Sequence, residues 1–191
     1  MTERLAVCSW SLQPAHPTDL VAKLQKTGIR RVQAALDPLR EAPKVWGQAA
    51  EFLRQSGISI CSGMFGCVGE DYSTLETIRQ TGGIAPDATW EQNWRNIHAT
   101  AALARQLELK LVTFHAGFLP HEESDPDFAK LSARLAQVAD LFGARHVVLG
   151  LETGQETAPV LLRLLERLNR PNLGVNFDPA NMILYDKGNP I

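Results

Sequence analysis

Apolar residues fall along this chain in six short runs, approximately Leu5–Ser9, Arg31–Ala35, Ser59–Met64, Lys110–His115, His146–Glu152 and Gly174–Asp178. Most are near-continuous rather than alternating, the pattern of parallel strands covered on both faces. Between them the pattern predicts helices. The first covers Pro17–Thr27 and stops at Gly28, a C′ glycine. The second covers Lys44–Gln55 and stops at Gly57. A third begins with Thr89 and Gln92 at capping-box spacing and continues to about Leu107. The fourth has Asp125 as N-cap and Pro126 at its first position, puts Leu131, Leu135, Val138 and Phe142 on one face, and stops at Gly143. The fifth, Ala158–Leu168, is capped by Thr157 and followed by Pro171.

Strands joined in succession by helices imply right-handed crossovers and one parallel sheet. The fold class is therefore α/β, of the (β/α)8 TIM-barrel type, as a single domain over residues 1–191 with about six of the eight units present. A closed barrel needs eight strands over roughly 250 residues. The last residues, Lys187-Gly188-Asn189-Pro190-Ile191, read as a turn into a further helix. The expectation is a barrel lacking its C-terminal quarter. A chain that stops there is expected to aggregate, or to form a homo-oligomer that covers its open edges. The longest interval between strands holds Phe65–Asp87, a glycine-containing stretch with Glu70 and Asp71 and no clear periodicity. Loops of that length are usually lids or binding loops; the alternative is a surface insertion without function.

Two of the apolar runs end on a carboxylate, Glu152 and Asp178. An acid at the end of a buried strand is costly unless a cation or a donor meets it. Two of them on successive parallel strands point at one place, the barrel mouth, where the chemistry of this fold sits. Pro179 cannot extend a strand ladder, so Asp178 stands at the tip of its strand. Each acid also has a plainer reading: Asp178 as a turn residue bonding nearby amides, and Glu152 as an acid favoured by a following helix N-terminus. Together they point to a divalent metal and a polar small substrate. His115 ends the fourth run ahead of Ala116-Gly117, which leaves room for a ligand. Trp10, closing the first run, offers an apolar wall for a sugar ring, and Gln33 offers an amide to hydroxyls if strand alternation turns it inward. His16 and His121 read as solvated loop histidines. Trp90 and Trp94, four residues apart on a helix, read as packing.

Composition narrows the partners. Hydrophobic residues make up 45% and charged residues 21% of the chain, as in ordinary globular domains. A net charge of −2 gives no reason to expect nucleic acid. No run approaches the roughly 18 apolar residues of a membrane span, and Met1-Thr2-Glu3-Arg4 leads straight into a strand without the long apolar stretch of a signal peptide. Three cysteines, Cys8, Cys61 and Cys67, without CxxC spacing fit reduced thiols in a cytoplasmic protein. Gly63, Gly66 and Gly69 follow a strand but lack the dinucleotide-binding spacing and open no helix.

Leu151-Glu152-Thr153-Gly154, Asn176-Phe177-Asp178-Pro179-Ala180-Asn181 and Phe114-His115-Ala116-Gly117 resemble the sugar phosphate isomerase/epimerase family of xylose-isomerase-like TIM barrels. The likeness covers essentially the whole chain. It implies a divalent ion, Mn²⁺, Mg²⁺ or similar, held by a Glu, an Asp, a His and a second Glu. Glu152 and Asp178 match the first two, and the other two would lie beyond Ile191. It implies proton transfer by two glutamates on opposite faces of one carbon, through an enediolate, with Glu152 one of that pair. It places His115 and Asn181 beside a small-molecule sugar substrate. Zinc-dependent apurinic endonucleases share the barrel but need further histidines. One of these would stand where this chain has Asn181, and another where it has Met64-Phe65-Gly66-Cys67. A third alternative is a non-catalytic barrel relative that binds or scaffolds.

Overall fold

The computed structural model describes residues 4–120, 122–154 and 156–190. His121, residues 1–3 of the chain start and Ile191 lie outside the described residues. Six strands, β1 (Val7–Cys8), β2 (Arg31–Ala35), β3 (Ser59–Met64), β4 (Leu111–Phe114), β5 (Val148–Glu152) and β6 (Leu173–Asn176), form one sheet in sequence order. Every neighbouring pair is parallel. The sheet curves: Gln33 on β2 reaches past β3 to hydrogen-bond Thr113 on β4 at 3.0 Å. This is the β/α-barrel arrangement that the alternating pattern predicted.

Packing follows the two sheet faces. Outward residues of β3 to β5 meet α6 (Asp87–Gln106), α7 (Pro126–Gly143) and α8 (Ala158–Leu168) in the main core. In that core Phe65 stacks on Phe114 at 4.8 Å, and Phe142 lies 6.1 Å beyond. A smaller cluster, Leu20, Leu24, Val32, Leu53 and Ile58, joins α1 (Pro17–Thr27) and α4 (Ala49–Gln55) to β2. The inward positions are smaller and more polar. A Cβ on Gly150 would sit 3.2 Å from Thr113 and 3.5 Å from Asn176, so these three share one interior layer. Two residues further along each strand, alternation puts His115, Glu152 and Asp178 in the next layer up, at the carboxyl end.

Several predicted elements need correction. The first strand shortens to Val7–Cys8, because Ser9–Leu12 winds into a 3-10 turn that carries Trp10. The predicted helix Lys44–Gln55 is two: α3 (Pro43–Trp46) and α4, interrupted around Gly47. The third predicted helix starts two residues before Thr89, at Asp87 after Pro86, so the Thr89–Gln92 pair caps nothing. The last strand stops at Asn176, since Asp178 caps α9 (Pro179–Leu184). Two more helices, α2 (Asp37–Glu41) and α5 (Leu75–Thr81), lie where no periodicity was visible. Each of these helices has seven residues or fewer, too few turns to print a stripe.

The stretch between β3 and α6 is anchored rather than loose. Gly66 N–H donates to Asp37 at 2.8 Å, and Val68 N–H to buried Asn93 at 2.7 Å. Arg134 donates to the carbonyls of Ile84 and Ala85 at 2.9 and 2.7 Å while its guanidinium lies 4.7 Å over Trp90. Ile84 N–H pairs with the Ala116 carbonyl at 3.0 Å. That pairing brings Gly83, at φ +65°, so close that a Cβ would overlap the Ala116 carbonyl. Gly83→Ala therefore combines left-handed strain with backbone overlap, and we expect a loss of about 2 kcal/mol, read by urea denaturation.

Candidate functional site

Glu152 and Asp178 meet at the carboxyl end of the sheet, on adjacent strands. The local backbone explains why. Thr153 N–H bonds the Asn176 carbonyl at 3.0 Å, extending the β5–β6 ladder by one step. The Thr153 hydroxyl then accepts from Asp178 N–H at 2.8 Å, pinning the residue after β6 beside the end of β5. Asp178 Oδ1 accepts from the N–H groups of Ala180 and Asn181 at 2.8 and 3.1 Å, an N-cap with Pro179 at the first helical position. That helix turns Asn181 back, and its Nδ2 donates to Glu152 Oε1 at 2.9 Å. The two readings of Asp178 thus coexist: one oxygen caps a helix, and the carboxylate still faces Glu152.

The pair is electrostatically uncomfortable. Burial pushes the Glu152 carboxyl above its usual range, and the neighbouring charge of Asp178 pushes it further. His115 and the Asn181 amide partly offset this. Two half-buried carboxylates this close, with the charge of one raising the other, are a fitting donor set for a hard divalent cation. Among the described residues no group of three or more His, Cys, Asp or Glu is placed to hold a metal ion.

Around the pair the mouth is aromatic and acidic. Phe118 meets the His115 ring edge-on at 5.9 Å and Tyr185 at 5.3 Å. Burial, then Glu152, Glu70 and Asp178, raise the phenol of Tyr185. Tyr72 is raised by burial and by Glu70. Glu70 reaches the mouth from the anchored stretch and stands 3.4 Å from His115 Nδ1. Burial and Glu152 also raise the thiol of Cys8, on the strand beside Gln33.

The structure thus brings Glu152, Asp178, His115 and Asn181 together. Gln33 sits in the interior with its amide engaged: it donates to Thr113 and accepts from Cys8 Sγ at 3.4 Å. Trp10 lines a different feature, an apolar pocket of about 100 Å³ with Leu20, Leu39, Trp46 and Leu53, between the sheet and its helices. His16 caps α1 through Nδ1, at 3.2 Å from Asp19 N–H. Trp90 and Trp94 stack at 5.4 Å against the main core. Glu70, Tyr72, Phe118 and Tyr185 carry no motif. Of these, Glu70 and Tyr72 lie in the Phe65–Asp87 stretch, whose length alone marked it as a lid or binding loop.

A family model described as xylose isomerase-like TIM barrel matches residues 21–191. Among solved structures, a xylose isomerase domain protein from Planctomyces limnophilus is 30% identical, with a TM-score of 0.82 over 97% of this chain and 67% of that one. An L-ribulose 3-epimerase is 21% identical, with a TM-score of 0.71 over 94% of this chain and 62% of that one. A xylose isomerase-like TIM barrel protein from Mycobacterium smegmatis, solved in complex with magnesium, is 14% identical, with a TM-score of 0.69 over 97% and 68%. The last two show likeness of fold. The chain spans roughly two thirds of the length of these structures. No curated protein matches it. Among the described residues no helix is long and apolar enough to cross a membrane.

Proposed function

The chain belongs to the xylose isomerase-like TIM barrel family, and on that premise we propose that it serves a metal-dependent isomerase or epimerase acting on a sugar or sugar phosphate. The observation that carries the reading is the Glu152–Asp178 pair, two carboxylates so close at the mouth that the charge of Asp178 raises the Glu152 carboxyl, with Asn181 hydrogen-bonded to Glu152. The proposal is for a protein in which further donors complete the metal site, these 191 residues supplying Glu152 and Asp178.

A divalent ion held there supplies positive charge to the adjacent oxygens of a ketose or aldose, which acidifies the C–H between them. The chain's own groups do the rest. Glu152 takes that proton as general base. Asn181 fixes the Glu152 carboxylate by its 2.9 Å hydrogen bond. Phe118 and Tyr185 give the sugar an apolar edge, and His115 presents a ring nitrogen to its hydroxyls. A second acid–base group returning the proton to the opposite face inverts the carbon.

Asp178→Asn separates charge from architecture. Asparagine caps a helix as well as aspartate, so the bonds to Ala180 and Asn181 survive while the negative charge is lost. We expect Mn²⁺ affinity to fall at least roughly tenfold with an unchanged melting temperature, measured by calorimetric titration. Unchanged affinity removes Asp178 from the ligand set. When exchange of the sugar's α-proton with solvent deuterium is followed by NMR, the 191 residues alone are expected to give little turnover, because two carboxylates bind an ion more weakly than four donors.

A further inference from the structure

His115 is 6% exposed, and among the described residues neither ring nitrogen has a formed hydrogen bond. A buried imidazole left so is costly and calls for a partner. On one side of the ring lies Glu70, itself buried, with Oε1 3.4 Å from Nδ1. That carboxylate is held from behind. Oε1 accepts from Gly83 N–H at 2.9 Å, and Oε2 accepts from Cys67 N–H at 3.4 Å. The segment that holds it is fixed to the His115 strand in turn, through Ile84 N–H to the Ala116 carbonyl. A Cβ on Gly82 would lie 3.0 Å from His115 Cε1, so the backbone there closes over the Nδ1 edge of the ring. The opposite edge carries Nε2, which is buried and has no hydrogen-bond partner among the described residues.

We propose that Glu70 is a positioning residue for His115. It keeps the proton on Nδ1, so that Nε2 meets the substrate as an acceptor for a sugar hydroxyl. An ionised carboxylate only accepts hydrogen bonds, so beside it the neutral ring carries its hydrogen on Nδ1 and its lone pair on Nε2. The 3.4 Å separation is longer than a formed hydrogen bond. Such contacts tighten when the substrate is bound. The pairing rests on the reading of the mouth as the substrate site, but its tautomer can be read without turnover.

The test is a long-range ¹H–¹⁵N correlation spectrum of the histidine rings, with His115 assigned by its loss in His115→Gln. The ring nitrogens of the native protein are expected to report the Nδ1–H tautomer. Glu70→Ala removes the acceptor beside Nδ1, so the signal should move towards the Nε2–H tautomer. If Glu70→Ala does not fold, the native spectrum decides alone, because an Nε2–H tautomer there overturns the proposal. So does an unchanged tautomer in a folded Glu70→Ala. In a protein active in proton exchange, the same variant should lose at least roughly tenfold in turnover at unchanged metal affinity. A correct tautomer in a protein that exchanges no proton would count against the isomerase reading and leave the Glu70–His115 pairing standing.

Discussion

Glu152→Gln is expected to abolish exchange of the sugar's α-proton with solvent while leaving the fold intact. Glutamine is nearly isosteric, and its Oε1 can still accept from Asn181 Nδ2. The change removes charge and basicity. Both matter at this position: the charge contributes to cation binding, and the basicity drives proton removal. Loss of a general base alone costs roughly 10²- to 10⁴-fold, and loss of a metal ligand adds to it. The variant is also relieved of the Asp178 repulsion that raises the native carboxyl. Its melting temperature should therefore equal or exceed that of the native protein. Undiminished exchange in a folded Glu152→Gln variant would remove Glu152 from the chemistry.

The second large effect is on stability and comes from Glu156, four residues on and outside the carboxylate pair. It is only 7% exposed, and burial raises its carboxyl to about 7, with Lys187 acting weakly the other way. It lines an apolar pocket with Leu161, Leu165, Val175 and Phe177. The folded-state value lies above the ordinary 4.5 of a glutamate, so the sign is fixed. Below pH 4.5 the acid is protonated in both states and costs nothing. As pH rises towards and through 7, the unfolded chain ionises freely and the folded one resists. The shift corresponds to about 3 kcal/mol of stability lost by pH 8. Glu156→Gln should flatten this loss, so the two proteins converge at pH 4.5 and the variant is the more stable at pH 8. Urea denaturation of both at the two pH values reads the difference. Parallel pH profiles would show that the buried carboxyl does not carry the effect.

Much of this architecture was legible because the strands are apolar and the acids interrupt them. Glu152 and Asp178 stand out for ending apolar runs, and alternation from Gly150 and Asn176 puts both on the inner face. His115 follows from Thr113 by the same step. Trp10 shows where that logic stops. The apolar run containing it winds into a 3-10 turn after two strand residues, and the indole ends over a pocket on the helix side. Gln33 does face inward, but a register shift beside it and the Thr113 hydroxyl settle its amide among the strands. Glu70 was beyond pattern reading, because its position depends on Gly83 and Cys67 amides 13 and 3 residues away. Short helices such as α5 and α9 are set by caps, Thr74 with Thr77 and Asp178 with Asn181, rather than by periodicity.

The central claim is that the mouth moves a proton on the carbon beside a sugar carbonyl, with a divalent ion between Glu152 and Asp178. Solvent-deuterium incorporation into a panel of ketoses and ketose phosphates, followed by NMR with Mn²⁺ or Mg²⁺ and again after chelation, reads this directly. Expected is label at the α-carbon of at least one sugar in the protein that carries the whole metal site, lost on chelation and in Glu152→Gln. A folded, metal-loaded protein that incorporates no deuterium into any sugar, yet binds one, would contradict the isomerase reading and leave a binding protein in its place.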